Sequence, residues 1–572
     1  MKTIVSYFRY FKKELVFGPL FKLAEAIFEL LVPLVMAQII DIGMAQKDLT
    51  YILQRGGVIV IFALVGIVCS ATCQYYAARC SQGMGTVLRK SVYHKINQLS
   101  SQQVSQFSSS SLITRLTNDV NQVQQAVAML IRLAIRAPFL VIGSLTMAMM
   151  IDRQLALVFL AAILVIAMVL GVLMTCSSYF FKAVQRQLDR VSQISQENLE
   201  GQRVIRAFSR QQLETERFDQ AAQASYKASM RVGWISGLFN PATQIVINLG
   251  IVVLLYCGSF QINSGVLSPG SLIALVNYMT QMFLALVVLA NLFVIFTKAA
   301  ASAGRIEAVL KTEAQIVGGT SVCTPTEDPL LELEEVSFGY NEGESAVEGI
   351  SFTIHTGQTI GLIGGTGCGK STIVQLLPRL INPTSGIIRF CGKPLQVYSL
   401  ADLRKQIRIV PQKAVLFSGT IRENLRWGNE TAGDEQLWQA LELAQAKTFV
   451  EAMEQGLDTM LVQGGKNCSG GQRQRLCIAR ALVGHPQLLV LDDSTSALDY
   501  QTDARLRSAL KTLSPAQAVL IVSQRIASIR HADCILVMDQ GRLVGQGTHE
   551  ELLETCKFYQ EIVRSQTRED QR

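Results

Sequence analysis

Thr359–Leu377 reads TIGLIGGTGCGKSTIVQLL. It opens as a short apolar run of strand character and closes with the apolar spacing of a helix. Between the two lies Gly364-Gly365-Thr366-Gly367-Cys368-Gly369-Lys370-Ser371. This fits G-x-x-x-x-G-K-[ST] in the strand–loop–helix context that the motif requires. The glycines let backbone N–H groups converge on phosphate oxygens, and the N-terminus of the following helix adds its dipole. Lys370 then reaches the β- and γ-phosphates, and Ser371 offers its hydroxyl to Mg2+. Cys368 lies inside the loop, so a thiol reagent is expected to block nucleotide binding.

Further along, QLLVLDD (Gln487–Asp493) is a second apolar strand, and it ends in acid. Asp492 is expected to hold Mg2+, directly or through water. Between the two strands lies CSGGQRQRLCIARAL (Cys468–Leu482). Here Ser469, Gly470 and Gly471 open a helix carrying Arg473, Arg475 and Arg480, a second anion-binding helix terminus. One chain does not need two such termini for one nucleotide unless one of them serves a partner chain. On the N-terminal side, LLELEEVSFGY (Leu330–Tyr340) alternates like a strand, and the polar, turn-rich GGTSVCTPTEDP (Gly318–Pro329) reads as a linker.

The 572 residues exceed what one core usually carries, so at least two domains are expected. Hydrophobic residues make up 49% and charged ones only 17%, which points to a membrane part. In that setting a net charge of +8 reflects cytoplasmic Lys and Arg rather than nucleic-acid binding. The cysteines are scattered without a paired C-x-x-C spacing, so neither a disulfide framework nor a zinc site is indicated. No signal peptide is read at the N-terminus.

Six apolar stretches long enough to cross a bilayer precede residue 300: Gly18–Ile40, Val58–Tyr76, Ile131–Ile151, Leu155–Thr175, Gln244–Ile262 and Leu272–Phe296. The links after the first, third and fifth are short. Those after the second and fourth are long, of helical composition and, in the fourth-to-fifth link, rich in Arg and Lys. By the positive-inside rule the long links and both termini are cytoplasmic, and the membrane helices are expected to continue into the cytoplasm. Charges inside the spans include Lys22, Glu25 and Glu29 on the first and Arg132 and Arg136 on the third. Lys22, Glu25 and the arginines either snorkel near the inner interface or pair with each other, and Glu29 is expected to face a central cavity and to favour cationic cargo.

Taken in order, these residues resemble ABC exporters that fuse six membrane helices to one nucleotide-binding domain, half-transporters of type IV fold and multidrug-exporter kind. The resemblance covers nearly the whole chain. It implies an α-helical transmembrane domain over 1–310, a linker over 311–330, an α/β P-loop nucleotide-binding domain over 331–565 and a polar tail over 566–572. It further implies ATP and Mg2+ as ligands, with Tyr340 stacking on adenine and Gly364–Thr372 on the phosphates. Gln412, in VPQKAVLFSGTIRENL, joins Ser371 and Asp492 at the metal. Ser469, Gly470, Gly471 and Gln472 would address the ATP bound by a partner chain, SALD (Ser496–Asp499) would follow, and Gln524 marks the switch. Segments like SLITRLTNDV and GQRVIRAFSRQQLETERF imply two coupling helices, near Val104–Ser111 and Phe208–Arg217.

Certain positions depart from the family's pattern. After the metal-binding aspartate the family usually has Glu, and here it has Asp493. The switch histidine is Gln524; all five histidines lie elsewhere, at 94, 355, 485, 531 and 549. Gln463, just before the signature, stands where Glu is common, and Cys468, where the family often has Leu, is a milder change. Asp is one methylene shorter, which holds its carboxylate back by roughly 1.5 Å. Misplacement of that order can cost about 10²-fold. Gln donates a hydrogen bond but cannot carry a proton, so a combined hydrolysis deficit of roughly 10²–10⁴ is expected. Binding is expected to survive, because Lys370, Ser371 and Asp492 are present.

The pattern resembles the degenerate half of heterodimeric bacterial multidrug exporters. That implies a second exporter half in the same cell membrane, supplying the usual Glu and His, and small amphipathic or hydrophobic cargo. The alternatives are a homodimeric exporter or lipid flippase with two equivalent sites, and an ATP-gated channel or regulator. Drug, lipid, peptide and haem cargo all remain compatible with the sequence.

Overall fold

The computed structural model describes residues 6–322, 329–340, 343, 345–494, 498–511 and 517–570. Residues 323–328 of the expected linker, Ser496 and Ala497 of SALD and residues 571–572 of the expected tail lie outside the described residues. The chain divides into two units. One comprises Met1–Asn97 and Ser108–Thr312, the other Gln98–Phe107 and Glu313–Arg572.

The first unit holds six long apolar helices: α1 (Tyr7–Met44), α2 (Leu49–Gln98), α3 (Ser109–Ile151), α4 (Arg153–Glu200), α5 (Gln211–Asn263) and α6 (Pro269–Lys311). Each expected span falls inside one of them. The 50 residues of α2 extend about 75 Å at 1.5 Å per residue, well beyond a hydrocarbon core of about 30 Å. The short links are built as caps. Asp152 caps α4 by accepting from Leu155 N at 2.7 Å. Ser268 caps α6 ahead of Pro269, whose missing N–H costs nothing at that position. Asp41 at the end of α1 accepts from Ser268 Oγ at 2.6 Å and Gly270 N at 2.7 Å. A Cβ at residue 270 would collide with the Ala37 carbonyl and with Asp41, so this close approach needs glycine. The core is aromatic and thioether-rich, with Phe159, Tyr278, Met279, Met282 and Phe283 buried. Large apolar side chains such as Leu64, Ile67, Leu164, Met168, Leu249 and Val252 face outward, as lipid contact requires.

Glu29 does line a cavity of about 360 Å³ formed with α2, together with Phe28, Phe62 and Ser70. Its carboxylate, however, accepts from Arg136 Nη2 at 2.6 Å, so it is not a lone anion awaiting a cation. Lys22 and Glu25 pair in the same way, at 2.6 Å. A carboxylate in a low-dielectric span needs a partner, and here the chain supplies one.

The second unit contains twelve strands among the described residues. Leu331–Phe338 (β1), Val347–Ile354 (β2), Ser385–Phe390 (β4) and Lys393–Pro394 (β5) form an antiparallel sheet in the order β2-β1-β4-β5. Thr359–Gly364 (β3), Ile407–Val410 (β6), Leu488–Asp492 (β9), Ala518–Val522 (β10), Cys534–Asp539 (β11) and Arg542–Gly547 (β12) form the central sheet, ordered β12-β11-β3-β10-β9-β6. Gly419–Thr420 (β7) and Met460–Leu461 (β8) make a small ribbon. The central strands are parallel except the edge strand β12. They are continuous apolar runs, as burial on both faces demands. Val522 pairs with Asp492 on one side and Leu362 on the other. The register therefore sets the ends of β3, β9 and β10 side by side. Ligands of such sheets bind just outside the carboxyl ends of the strands.

Both expected coupling helices shift. The first is Ser101–Phe107, ended by Ser108 at φ +60°, rather than Val104–Ser111. It belongs to the second unit. There the buried Gln103 donates to Glu313 O at 2.8 Å and accepts from Ser100 N at 3.0 Å, and Gln102 Nε2 donates to Tyr340 O at 3.2 Å. At the second position, Gln202–Ala207 forms a short helix. Phe208–Arg210 is a turn with Ser209 at φ +53°, and Gln211 already begins α5. The composition is helical throughout, so the breaks fall where single residues leave helical geometry.

Candidate nucleotide site

The loop after β3 turns through Gly367 at φ +81° and Gly369 at φ +97°, conformations natural only to glycine. A Cβ at residue 369 would lie 2.5 Å from the Ala346 carbonyl. The helix Lys370–Leu376 starts directly behind the loop. Lys370 bends back, its Nζ donating to Gly364 O at 2.9 Å and Gly365 O at 2.7 Å. These are the contacts of an ammonium held over a phosphate-binding loop by the loop's own backbone. Cys368 is 5% exposed and lies 3.6 Å from Lys370 Nζ.

A cavity of about 440 Å³ gathers residues from five separated stretches. Its lining includes Tyr340, Thr366, Gly367, Gly369, Lys370, Ser371, Thr372, Gln412, Asp492, Asp493 and Gln524. Of the expected loop residues, Gly364, Gly365 and Cys368 are not part of this lining. Tyr340 stands at the rim, 45% exposed, its hydroxyl 3.3 Å from Thr372 Oγ1 and its ring edge-on to Phe338 at 5.0 Å. An exposed aromatic ring braced from behind is free to stack on its open face.

Ser371 hydrogen-bonds Asp492 at the end of β9. Burial pushes the Asp492 carboxyl above the ordinary carboxylate range, and the neighbouring Asp493 charge pushes it the same way. Burial also raises Asp493, against the Gln412 hydrogen bond and the charges of Arg525 and Lys370. A hydroxyl, a buried carboxylate and an amide oxygen are the hard donors Mg2+ prefers when phosphates complete its shell. Among the described residues no group of three His, Cys, Asp or Glu side chains is placed to hold a metal alone. The donor set therefore fits a cation that arrives with its nucleotide.

Asp493 differs from its neighbour in backbone as well as in role. Its φ is +45°, its N–H donates to Val522 O at 2.8 Å, and its Oδ2 accepts from Gln412 Nε2 at 3.2 Å. Gln524 lies on the exposed side of the cavity. Its carbonyl accepts from Gln566 Nε2 at 2.6 Å, while Gln566 Oε1 accepts from Ile526 N at 2.9 Å. Gln566, on the helix Lys557–Asp570, thus grips the switch backbone on both sides of Arg525. Sequence reading missed it, and no motif could have flagged a lone glutamine in a polar helix.

Ser469, Gly470, Gly471 and Gln472 do not line this cavity. Ser469 caps the helix Gly470–Leu482, its hydroxyl accepting from Gln472 N at 3.2 Å while Gln472 Oε1 accepts from Ser469 N at 2.8 Å. This reciprocal capping box leaves the first-turn N–H groups of a long helix directed outward. Arg473 braces the turn from behind through Cys468 O at 2.9 Å.

A phosphate-loop ATPase joined in one chain to six membrane-crossing helices defines an ATP-driven membrane translocase. Comparison with known proteins agrees. Residues 15–286 match the model of the ABC transporter transmembrane region, and residues 347–496 match the ABC transporter model. The chain is 38% identical to the uncharacterized ABC transporter ATP-binding protein YfiB of Bacillus subtilis over 95% of both chains. It is 33% identical to the ATP-dependent lipid A-core flippase of Hahella chejuensis, over 88% of this chain and 86% of the other. It is 32% identical to a multidrug resistance ABC transporter ATP-binding and permease protein of Lactococcus lactis, over 84% and 81%. In fold it superposes on a bacterial Atm1-family ABC exporter with ATP bound, with a TM-score of 0.82 at 23% identity over 97% and 98% of the two chains. The chain belongs to the ABC exporters, multi-pass membrane proteins with an ATP-binding domain.

Proposed function

We propose that this chain is the weakly hydrolysing half of a heterodimeric exporter of small amphipathic or hydrophobic compounds in the cell membrane, with both termini cytoplasmic. One observation carries the reading. Asp493 and Gln524 share a cavity with Lys370, Ser371 and Asp492, so binding groups are complete where hydrolytic groups are altered. The relatives named as a multidrug transporter and as a lipid A-core flippase support cargo with an apolar body.

Lys370 exchanges the Gly364 and Gly365 carbonyls for the β- and γ-phosphates, and loop N–H groups converge on the same oxygens. Ser371, Asp492 and Gln412 would hold Mg2+, which when bound would neutralise charge on the phosphates. Tyr340 stacks on adenine. Asp493 is short and already engaged by Gln412, so its carboxylate sits back from an attacking water. Gln524 donates to the γ-phosphate but accepts no proton. Gly470 and Gly471, in the turn that Ser469 and Gln472 close, direct their N–H groups at nucleotide held by the second half, which supplies the usual Glu and His. The site here therefore holds ATP longer than it cuts it.

The test is to purify the chain alone and together with a second exporter half that carries the usual Glu and His. The reading expects slow ATPase alone and brisk activity only in the pair. A stable homodimer with brisk ATPase would overturn it in favour of two equivalent sites.

A further inference from the structure

Away from the nucleotide cavity, the second unit holds another of about 300 Å³, the size at which small-ligand pockets begin. It lies between the helix Tyr500–Leu510 and the segment Ala527–Ala532, with Thr359, Val519 and Ile521 as its floor. Arg507, Lys511, Arg530 and His531 line it, with the hydroxyls of Ser508 and Ser528, and no acidic side chain does. Asp503 neutralises Arg507 from outside, at 3.1 Å. Arg507 is otherwise spent on structure, reaching the Ala527 carbonyl, and its buried Nε has no partner. Among the described residues neither Lys511 nor Arg530 has an acidic partner. Two uncompensated cations thus face a pocket that also holds hydroxyl donors and an imidazole.

We propose that this pocket binds a phosphate group, free or as a small phosphate monoester or headgroup, between Lys511, Arg530 and His531. Phosphate chemistry fits because it satisfies several donors at once, which a halide or a carboxylate does less well. Burial and the charges of Arg530, Lys511, Arg507 and His549 hold the His531 imidazole below its ordinary range. An anion among these cations reverses that field, and Asp503 and the nearby Asp533 are too few to do so unaided. The placement matters for the reaction. The helix Tyr500–Leu510 is capped by Asp499, which closes SALD, and the segment at Ala527 directly follows the switch residue Gln524. A ligand here ties together the two segments that flank the reaction site.

Diethylpyrocarbonate modification of the full-length protein in nanodiscs, read by peptide mass spectrometry, tests this. The reagent reports neutral, accessible imidazoles residue by residue. The nucleotide site is saturated with ADP and Mg2+, so that added phosphate cannot act there. Inorganic phosphate or glycerol 3-phosphate should slow modification of His531 by at least about threefold and leave His94 and His355 unchanged. Protection that appears only with vesicles of phosphatidylglycerol would assign the phosphate to a lipid headgroup. The Lys511→Gln/Arg530→Gln variant, which breaks no side-chain hydrogen bond or ion pair among the described residues, should lose the protection. Equal rates with every anion, or equal protection in that variant, would overturn the proposal.

Discussion

Asp493 combines a short side chain, a left-handed backbone and a hydrogen bond to Gln412. Asp and Asn tolerate φ near +45° better than longer residues do. Restoring the family's glutamate alone therefore meets backbone resistance as well as gaining reach. Asp493→Glu with Gln524→His should raise turnover at this site by about 10²-fold, and Asp493→Glu alone by less. Single-turnover ATP hydrolysis, with the second half's site disabled, reads the difference. In the assembled exporter Asp493→Asn should leave most steady-state ATPase, while Ser469→Ala should lower it about tenfold or more; the reverse ranking would contradict the asymmetric reading. A stability consequence follows from the raised Asp493 pKa. An acid whose pKa is higher folded than unfolded weakens the fold when ionised, and that penalty grows as pH rises through the unfolded value. Asp493→Asn should therefore raise the melting temperature of the nucleotide-free protein at neutral pH, with the gain shrinking below the ordinary carboxylate range. The identities at 492, 493 and 524 were legible in the sequence because they sit inside ordered motifs. The φ of Asp493 was not, because it depends on how β9 ends against β10.

At the scale of elements, strand–loop–helix and the six spans were legible because each has a period or a length that physics ties to one structure. The breaks at Ser108 and Ser209 were not: serine follows no rule that forces a left-handed turn, and the residues around both suit a helix. The Gln566 grip was equally hidden, since it joins segments about forty residues apart through a side-chain amide. Losing a hydrogen bond of this kind costs about 1 kcal/mol, or roughly fivefold in an opening equilibrium. Gln566→Ala should accordingly speed hydrogen exchange at the Ile526 amide by about fivefold, read on peptides covering the switch. Unchanged exchange there would mean that the switch backbone is held by other contacts.

For the molecule as a whole, composition and charge placement were enough to read a membrane part fused to an ATPase. That the intramembrane charges could pair was readable, but which ones do was not, because Glu29 and Arg136 are brought together only by packing of α1 against α3. Glu29→Gln and Arg136→Gln should each lower thermal stability, and the double variant should lose less than their sum, by about 0.5–3 kcal/mol. Strict additivity would show the pair to be incidental. Because the pair is internally neutral, cationic cargo should gain no special advantage from Glu29, and transport of cations and of neutral amphiphiles should fall in step in Glu29→Gln.

The decapeptide Gln98–Phe107 belongs to the second unit although it is made in the middle of the first. Its Gln103 waits for a carbonyl 210 residues further along the chain. At about 5–20 residues per second, the ribosome delivers that partner roughly 10–40 s later. Through that interval the loop between two inserted helices has nowhere to dock. A slowed or interrupted translation past the sixth helix would then leave a finished membrane bundle with an unsatisfied loop, a ready mark for the cell's quality control.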